Sequence, residues 1–226
     1  MYFQDHTLAD LLAKTDVVIF DMNGLIVDDE PVQLEAVNEV LAPYEVRLSD
    51  EQWISQCVGR KPVEYFRELL VSQNMSDADF TQLCDAKEHA YERRIGAEGQ
   101  VQALVRPGFE AFFSFLTQSH HRIALATSTT RRGMETILGE RGLNILEFFD
   151  FVICGDEVSK AKPHPEIYSK VRQHFGDEKS YLVFEDSEFG VKSATNANCT
   201  CIAVPNAFTQ QQDLSMATDI IEGFKN

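Results

Sequence analysis

The sequence predicts an α/β fold, a doubly wound parallel sheet carrying a small all-helical domain, and three observations lead to it. Short apolar, β-branched-rich runs at residues 17–20, 122–127, 149–154, 181–184 and 200–204 are strand-like and too short to be helices. From Arg106 onward, segments of helical periodicity separate these runs, the alternation that builds parallel βαβ units. Between the first run and the rest lie about 70 residues with helical spacing and no convincing strand. Residues 16–31 and 103–226 are therefore read as the α/β unit, residues 32–102 as a helical domain and residues 1–15 as a surface extension without chemistry.

Taken in order, Leu8, Leu11 and Leu12 give only a short helical hint. Val17 to Phe20 form a buried strand that ends on Asp21, and Gly24 allows a sharp turn after it. The carboxyl end of a strand in an open α/β sheet is where such folds place their chemistry. Taken alone, an acid there is more commonly a cap or turn former. In the helical insertion Val37, Val40 and Leu41, then Val63, Phe66, Leu69 and Leu70, then Phe80, Leu83, Ala90 and Ile95 mark apolar faces. Ser49-Asp-Glu-Gln and Ser76-Asp-Ala-Asp have the form of helix N-termini, with acids in the first turn. Phe109, Phe112, Phe113 and Leu116 line a further helix, and helices are expected over 131–140, 165–175 and 188–197.

The composition narrows the function. The chain has 226 residues, enough for one good core and a small second domain. Its 20 basic and 36 acidic residues give a net charge of −16, which argues against nucleic acid or an anionic membrane as partner. No apolar run approaches the ~20 residues of a membrane span, so a cytoplasmic monomer acting on a small molecule is expected. The 5 cysteines are odd in number and contain no Cys-x-x-Cys pair, so reduced thiols are expected. Cys199 and Cys201 are expected on opposite faces of the last strand.

Four stretches then fall into one order: Asp21-Met-Asn-Gly, Ala124-Leu-Ala-Thr, Lys162-Pro-His-Pro and Glu185-Asp-Ser. They resemble the motifs of the haloacid dehalogenase superfamily, in particular its helical-capped subgroup of β-phosphoglucomutase and sugar-phosphate phosphatases. The resemblance covers roughly residues 16–205. It implies a Rossmann-like core under a helical cap and Mg²⁺-dependent phosphoryl transfer on a small phosphorylated metabolite such as a hexose phosphate.

Residue by residue, the resemblance makes Asp21 the nucleophile that forms an aspartyl-phosphate, splitting one transfer into two. Mg²⁺, which takes oxygen ligands, would be held by Asp21, the backbone carbonyl of Asn23, Glu185 (through a water) and Asp186. Thr127, with Ser128 beside it, would donate to the phosphoryl oxygens; Thr127 can equally be a helix cap. Lys162, preferred to Lys160 for its Lys-Pro pairing, would neutralise charge, and His164 is not cast as a base. Gly59 and Arg60 resemble the cap loop that meets the distal part of the substrate, with Gln33 and Asp28 as further candidates for a sugar hydroxyl.

One position departs from the pattern. The family's phosphatases and mutases carry an acid where this chain has Asn23, and an amide cannot exchange protons near neutral pH. A positioned acid–base group contributes typically about 10²–10⁴-fold. A weakly active natural member, a laboratory substitution and a protein repurposed for binding all fit this departure. Hydrolysis is favoured over mutase chemistry, which needs proton exchange at position 23 in both half-reactions. The Glu185-Asp186 pair points to a metal and away from dehalogenation.

Overall fold

A computed structural model describes residues 6–96 and 100–224. Six parallel strands, β1 (Val17–Phe20), β2 (Arg122–Ala126), β3 (Phe151–Ile153), β4 (Tyr181–Glu185), β5 (Thr200–Ala203) and β6 (Asp219–Ile220), form one sheet in the order β3-β2-β1-β4-β5-β6. β1 is central, pairing with β2 on one side and β4 on the other. Its four residues are all buried, as expected of a parallel strand covered on both faces. The chain order reverses between β1 and β4, so the crevice at their carboxyl ends is the switch point of the sheet.

Alternate residues divide the core into two layers. Val18, Phe20, Leu125, Leu182, Phe184 and Ile202 face one layer, and Val17, Ile19, Ala124, Val183, Cys201 and Ala203 face the other. The chain begins with α1 (His6–Leu12) and continues after β1 with α2 (Glu30–Leu41), α3 (Asp50–Gln56), α4 (Pro62–Leu69), α5 (Asp77–Ile95) and α6 (Gln100–Leu104). α7 (Phe109–Thr117), α8 (Arg131–Leu138), α9 (Glu166–Phe175) and α10 (Glu188–Asn196) alternate with the remaining strands. α1, α7 and α8 cover the first layer, α9 and α10 the second. Phe20 stacks on Phe184 at 5.4 Å between ring centroids and meets Phe109 edge-on at 5.7 Å. These contacts clamp β1 to β4 immediately beneath Asp21, and so fix where the crevice's carboxylates stand.

The helices α2 to α5 have a core of their own, with Leu34, Val37, Leu41, Trp53, Tyr65, Phe66, Phe80 and Leu83. Both expected N-termini carry capping boxes, Ser49 with Gln52 and Ser76 with Asp79. α5 outlasts this small core: Ala90, Tyr91 and Ile95 pack with Val101 into the layer beneath the sheet. One helix thus packs in both the helical core and the layer on the sheet.

Three expectations change. Residues 1–15 are not merely a surface extension, because Leu8 and Leu12 are buried in the first layer; residues 1–5 lie outside the described ones. The two-residue β6 had no hydrophobic run to announce it; its Asp219 and Ile220 pair with Ile202 and Ala203. Cys199, immediately before β5, and Cys201 within it lie in the same layer, because residues two apart in extended chain share a face. All five cysteines are free thiols, as expected.

Candidate active site

Asp21 follows β1, Glu185 ends β4 and Asp186 follows it, so the pairing of these two strands brings the three acids together. One carboxylate oxygen from each lies within 4.8 Å of the others, and all three side chains are buried. Lys162 reaches into the cluster from the loop before α9. Its Nζ donates to Asp21 Oδ1 and Glu185 Oε1, both at 2.6 Å, and to the carbonyl of Ala126 at 3.1 Å. Burial disfavours the Lys162 cation, but Asp21 and Glu185 outweigh it and raise its pKa. Burial pushes the Asp21 carboxyl up to about 7, with Lys162 pulling against the rise and Glu185 adding to it. Asp186 is raised well above the usual carboxylate range by burial, then by Glu185 and Asp21.

One lysine cannot balance three buried carboxylates. Lys162 contacts two of them, while Asp186 Oδ2 accepts, among the described residues, from Asn206 Nδ2 at 2.9 Å. An all-oxygen, net-negative donor set suits a hard divalent cation such as Mg²⁺. Glu185 is the innermost of the three, held by Lys162 and by the Tyr168 hydroxyl at 2.5 Å, which fits an action at one remove from the ion. Gly24 makes room for the cluster. Its φ is +78°, and a Cβ there would stand 2.2 Å from Asp186 Oδ2 and 2.7 Å from Asn206 Nδ2. Gly24→Ala is therefore expected to destabilise the fold by about 1–3 kcal/mol, read as a lowered urea midpoint at unchanged slope.

Thr127 is buried beyond β2, and its hydroxyl accepts from the Thr129 N–H at 3.1 Å and stands 3.5 Å from Asn23 Oδ1. Ser128 is exposed at the cavity wall beside Thr129 and Thr130. Asn23 is half-buried, with its Oδ1 accepting from Thr129 Oγ1 at 2.5 Å and its Nδ2 donating to Asp29 Oδ2 at 2.7 Å.

Above the acids lies a cavity of about 300 Å³ between the sheet end and the helices. Asp21, Asn23, Lys162 and Asp186 form its floor; Ser128, Gly59, Arg60, Trp53, Gln33, Glu30, Lys87 and Glu88 stand around it. The expected residues are thus brought together, with three exceptions. Thr127 and Glu185 are buried and absent from the lining, and Asp28 is absent from it too. Arg60 borders the cavity with its guanidinium on Glu68, at 2.6 and 2.9 Å. His164 is exposed, with its Nδ1 accepting from the Glu166 N–H at 3.2 Å.

Sequence reasoning missed Thr129, Tyr168, Asn206, Glu30 and Lys87. Thr129 sits in a Ser/Thr run ahead of a helix and was discoverable as such; the others depend on contacts distant in sequence. Glu30 accepts from Trp53 Nε1–H at 2.7 Å, and burial together with the Asp29 charge pushes its carboxyl up to about 8. Its folded-state pKa exceeds the unfolded one, so the native protein holds the proton that the unfolded chain loses. Its contribution to stability is complete below about 4.5 and is lost as pH rises toward about 8. Glu30→Gln is expected to flatten the fall in melting temperature across that window.

The profile of the haloacid dehalogenase-like hydrolases matches residues 18–204. The chain belongs to that family. This haloacid dehalogenase-like hydrolase is 31% identical over 207 residues to protein CbbY of Rhodobacter capsulatus, covering 88% of this chain and 89% of that protein. It is 30% identical over 183 residues to the phosphorylated carbohydrates phosphatase of Thermotoga maritima, covering 80% and 81% of the two chains. In three dimensions it is similar to CbbY of Rhodobacter sphaeroides solved with phosphate, with a TM-score of 0.81 at 23% identity over 93% and 95% of the chains. The haloacid dehalogenase-like hydrolase is a phosphoric monoester hydrolase. Among its described residues no helix is long and apolar enough to cross a membrane.

Proposed function

We propose that the protein hydrolyses the phosphate monoester of a small sugar-like metabolite, such as a hexose phosphate, through an aspartyl-phosphate on Asp21. The observation that carries this reading is the Asp21–Lys162 contact of 2.6 Å at the floor of the cavity, with Asp186 beside it. Asp21 is a buried oxygen nucleophile with a fixed cation next to it, the arrangement that suits attack on an anionic phosphoryl group.

Asp21, Asp186 and the carbonyl of Asn23 would hold Mg²⁺, with Glu185 behind them; bound there, the ion neutralises phosphoryl charge. Lys162 holds the attacking carboxylate in place and spreads its positive charge toward the transferring group. Ser128 offers hydroxyl and N–H donors along one side, next to Thr129, whose own donors go to Asn23 and Thr127. The protonated Glu30, with Gln33 and Lys87, offers hydrogen-bond partners for sugar hydroxyls, and the cavity volume suits a molecule of that size. The Thermotoga relative's name, a phosphatase of phosphorylated carbohydrates, supports the substrate class.

Asn23 accepts and donates hydrogen bonds without exchanging a proton, so leaving-group protonation and water activation fall to solvent. Turnover is expected to be slow by the ~10²–10⁴-fold that such a group supplies. The competing reading, a binder of phosphorylated metabolites, is favoured by that same amide.

A panel of sugar phosphates assayed for phosphate release separates the two. Release that requires Mg²⁺, stops with a chelator and returns when the ion is added back is the expected result. A Mg²⁺-dependent rise in melting temperature should accompany it. Saturable binding of sugar phosphates without release, in single-turnover as in steady-state assays, would sink the enzyme reading.

A further inference from the structure

Asn23 and Asp29 face each other across the turn that leads out of β1. Asn23 Nδ2 donates to Asp29 Oδ2 at 2.7 Å. That oxygen also accepts from the Tyr91 hydroxyl at 2.6 Å and from Gln33 Nε2 at 3.0 Å. Asp29 is fully buried, and its other oxygen, Oδ1, has no hydrogen-bond partner among the described residues. A carboxylate can only accept, so whatever faces it from position 23 must donate. On its other side, position 23 accepts, with the Thr129 hydroxyl donating to Asn23 Oδ1 at 2.5 Å. A short amide meets both demands at once. A carboxylate at position 23 would face the Asp29 carboxylate with two acceptors in contact and no donor between them unless a proton is taken up.

We infer that Asp29 is a positioning residue matched to an amide at position 23. It sets the orientation of Asn23 above the floor of the cavity and ties it to Gln33 on α2 and Tyr91 on α5. On this reading the amide is one half of a complementary pair, and the residue at 23 cannot be changed to an acid independently of the residue at 29. The part of the inference that concerns turnover rests on the hydrolase reading given above; the part that concerns pairing does not.

A consequence follows for a swapped pair. With Asn23→Asp and Asp29→Asn together, an amide at 29 donates to a carboxylate at 23. The Tyr91 hydroxyl can rotate and the Gln33 amide can flip to meet the new partner, and the Thr129 hydroxyl still finds an acceptor.

The test is a double-mutant cycle on the full chain: the unaltered protein, Asn23→Asp, Asp29→Asn and the double variant, each followed by thermal melting and by kcat and KM on a sugar phosphate with Mg²⁺. Asn23→Asp alone is expected to lower the melting temperature by roughly 3–10 °C. The double variant should recover most of that loss and exceed Asn23→Asp in kcat by about tenfold or more, with KM little changed. Rescue in kcat without a change in KM is a readout that general loosening of the fold would not produce. The inference is overturned if Asn23→Asp is as stable as the unaltered protein, or if the double variant is no more stable than Asn23→Asp, failure of both to fold included. Coupled melting temperatures without turnover in any of the four proteins would support the pairing and count against the hydrolase reading.

Discussion

Replacing Asp21 by Asn is expected to remove phosphate release altogether, by on the order of 10⁴–10⁶-fold where a background rate can be measured. The side chain keeps its size, and its oxygen can still accept from Lys162, which now stands 2.6 Å from Asp21 Oδ1, so the fold and cavity should survive. What is lost is the anionic nucleophile. A second readout makes the result specific. Because Asn23 cannot activate water, the aspartyl-phosphate formed by the unaltered chain should persist long enough to be trapped by acid quench and seen by intact-mass spectrometry. Asp21→Asn should show no adduct. Turnover that survives the substitution would move the chemistry to another residue and end the proposed mechanism. Persistence of the adduct in the unaltered chain and its absence in the variant would tie the amide at 23 and the acid at 21 to successive steps of one reaction.

The parts of the fold that could be read from the sequence were those decided by local pattern. Val17 to Phe20 is four apolar residues in a row because both faces of the central strand are covered, and a run so short has little other use. Capping boxes at Ser49 and Ser76 are complete within three residues and need no tertiary information. β6 needed such information: Asp219 and Ile220 are a strand only because β5 offers an open edge. The burial of Leu8 and Leu12 likewise depends on helices that arrive a hundred residues later.

The same division runs through the site. Asp21, Lys162, Glu185 and Asp186 announce themselves at strand ends and in a Lys-Pro loop. Their supports do not. Tyr168 holds Glu185, Asn206 holds Asp186, and Tyr91 reaches Asp29 across 62 residues of sequence. None of these belongs to a pattern, because each is chosen by a contact made only in the folded chain. Asn23 was legible as a departure, but its partner was not. Asp29 reads in sequence as one acid in the run Asp28-Asp-Glu, and only its buried geometry distinguishes it from a solvated one.

Lys162 is the position where removal of one group should cost both stability and activity. Lys162→Met keeps an unbranched chain of similar length and deletes the charge. Asp21, Glu185 and Asp186 then share a buried site with no lysine among them, and breaking a buried pair in this way costs roughly 3–5 kcal/mol. Urea unfolding should show it as a lowered midpoint, and phosphate release should fall with it. The sign of the pH dependence identifies the cause. Asp21 and Asp186 already have folded-state pKa values raised above the unfolded ones, and loss of Lys162, which lowers both, would raise them further. A raised carboxyl stabilises the native state most fully below its unfolded pKa and loses that stabilisation as pH climbs through the folded one. The deficit of Lys162→Met should therefore be small below the ordinary carboxylate range and grow toward neutral pH. Mg²⁺ should reduce it at neutral pH, since a divalent cation on the same oxygens replaces part of the missing charge. A deficit independent of both pH and Mg²⁺ would instead mean that Lys162 supports the fold by packing against Tyr168, whose ring lies 5.1 Å from its Nζ, and not by its charge.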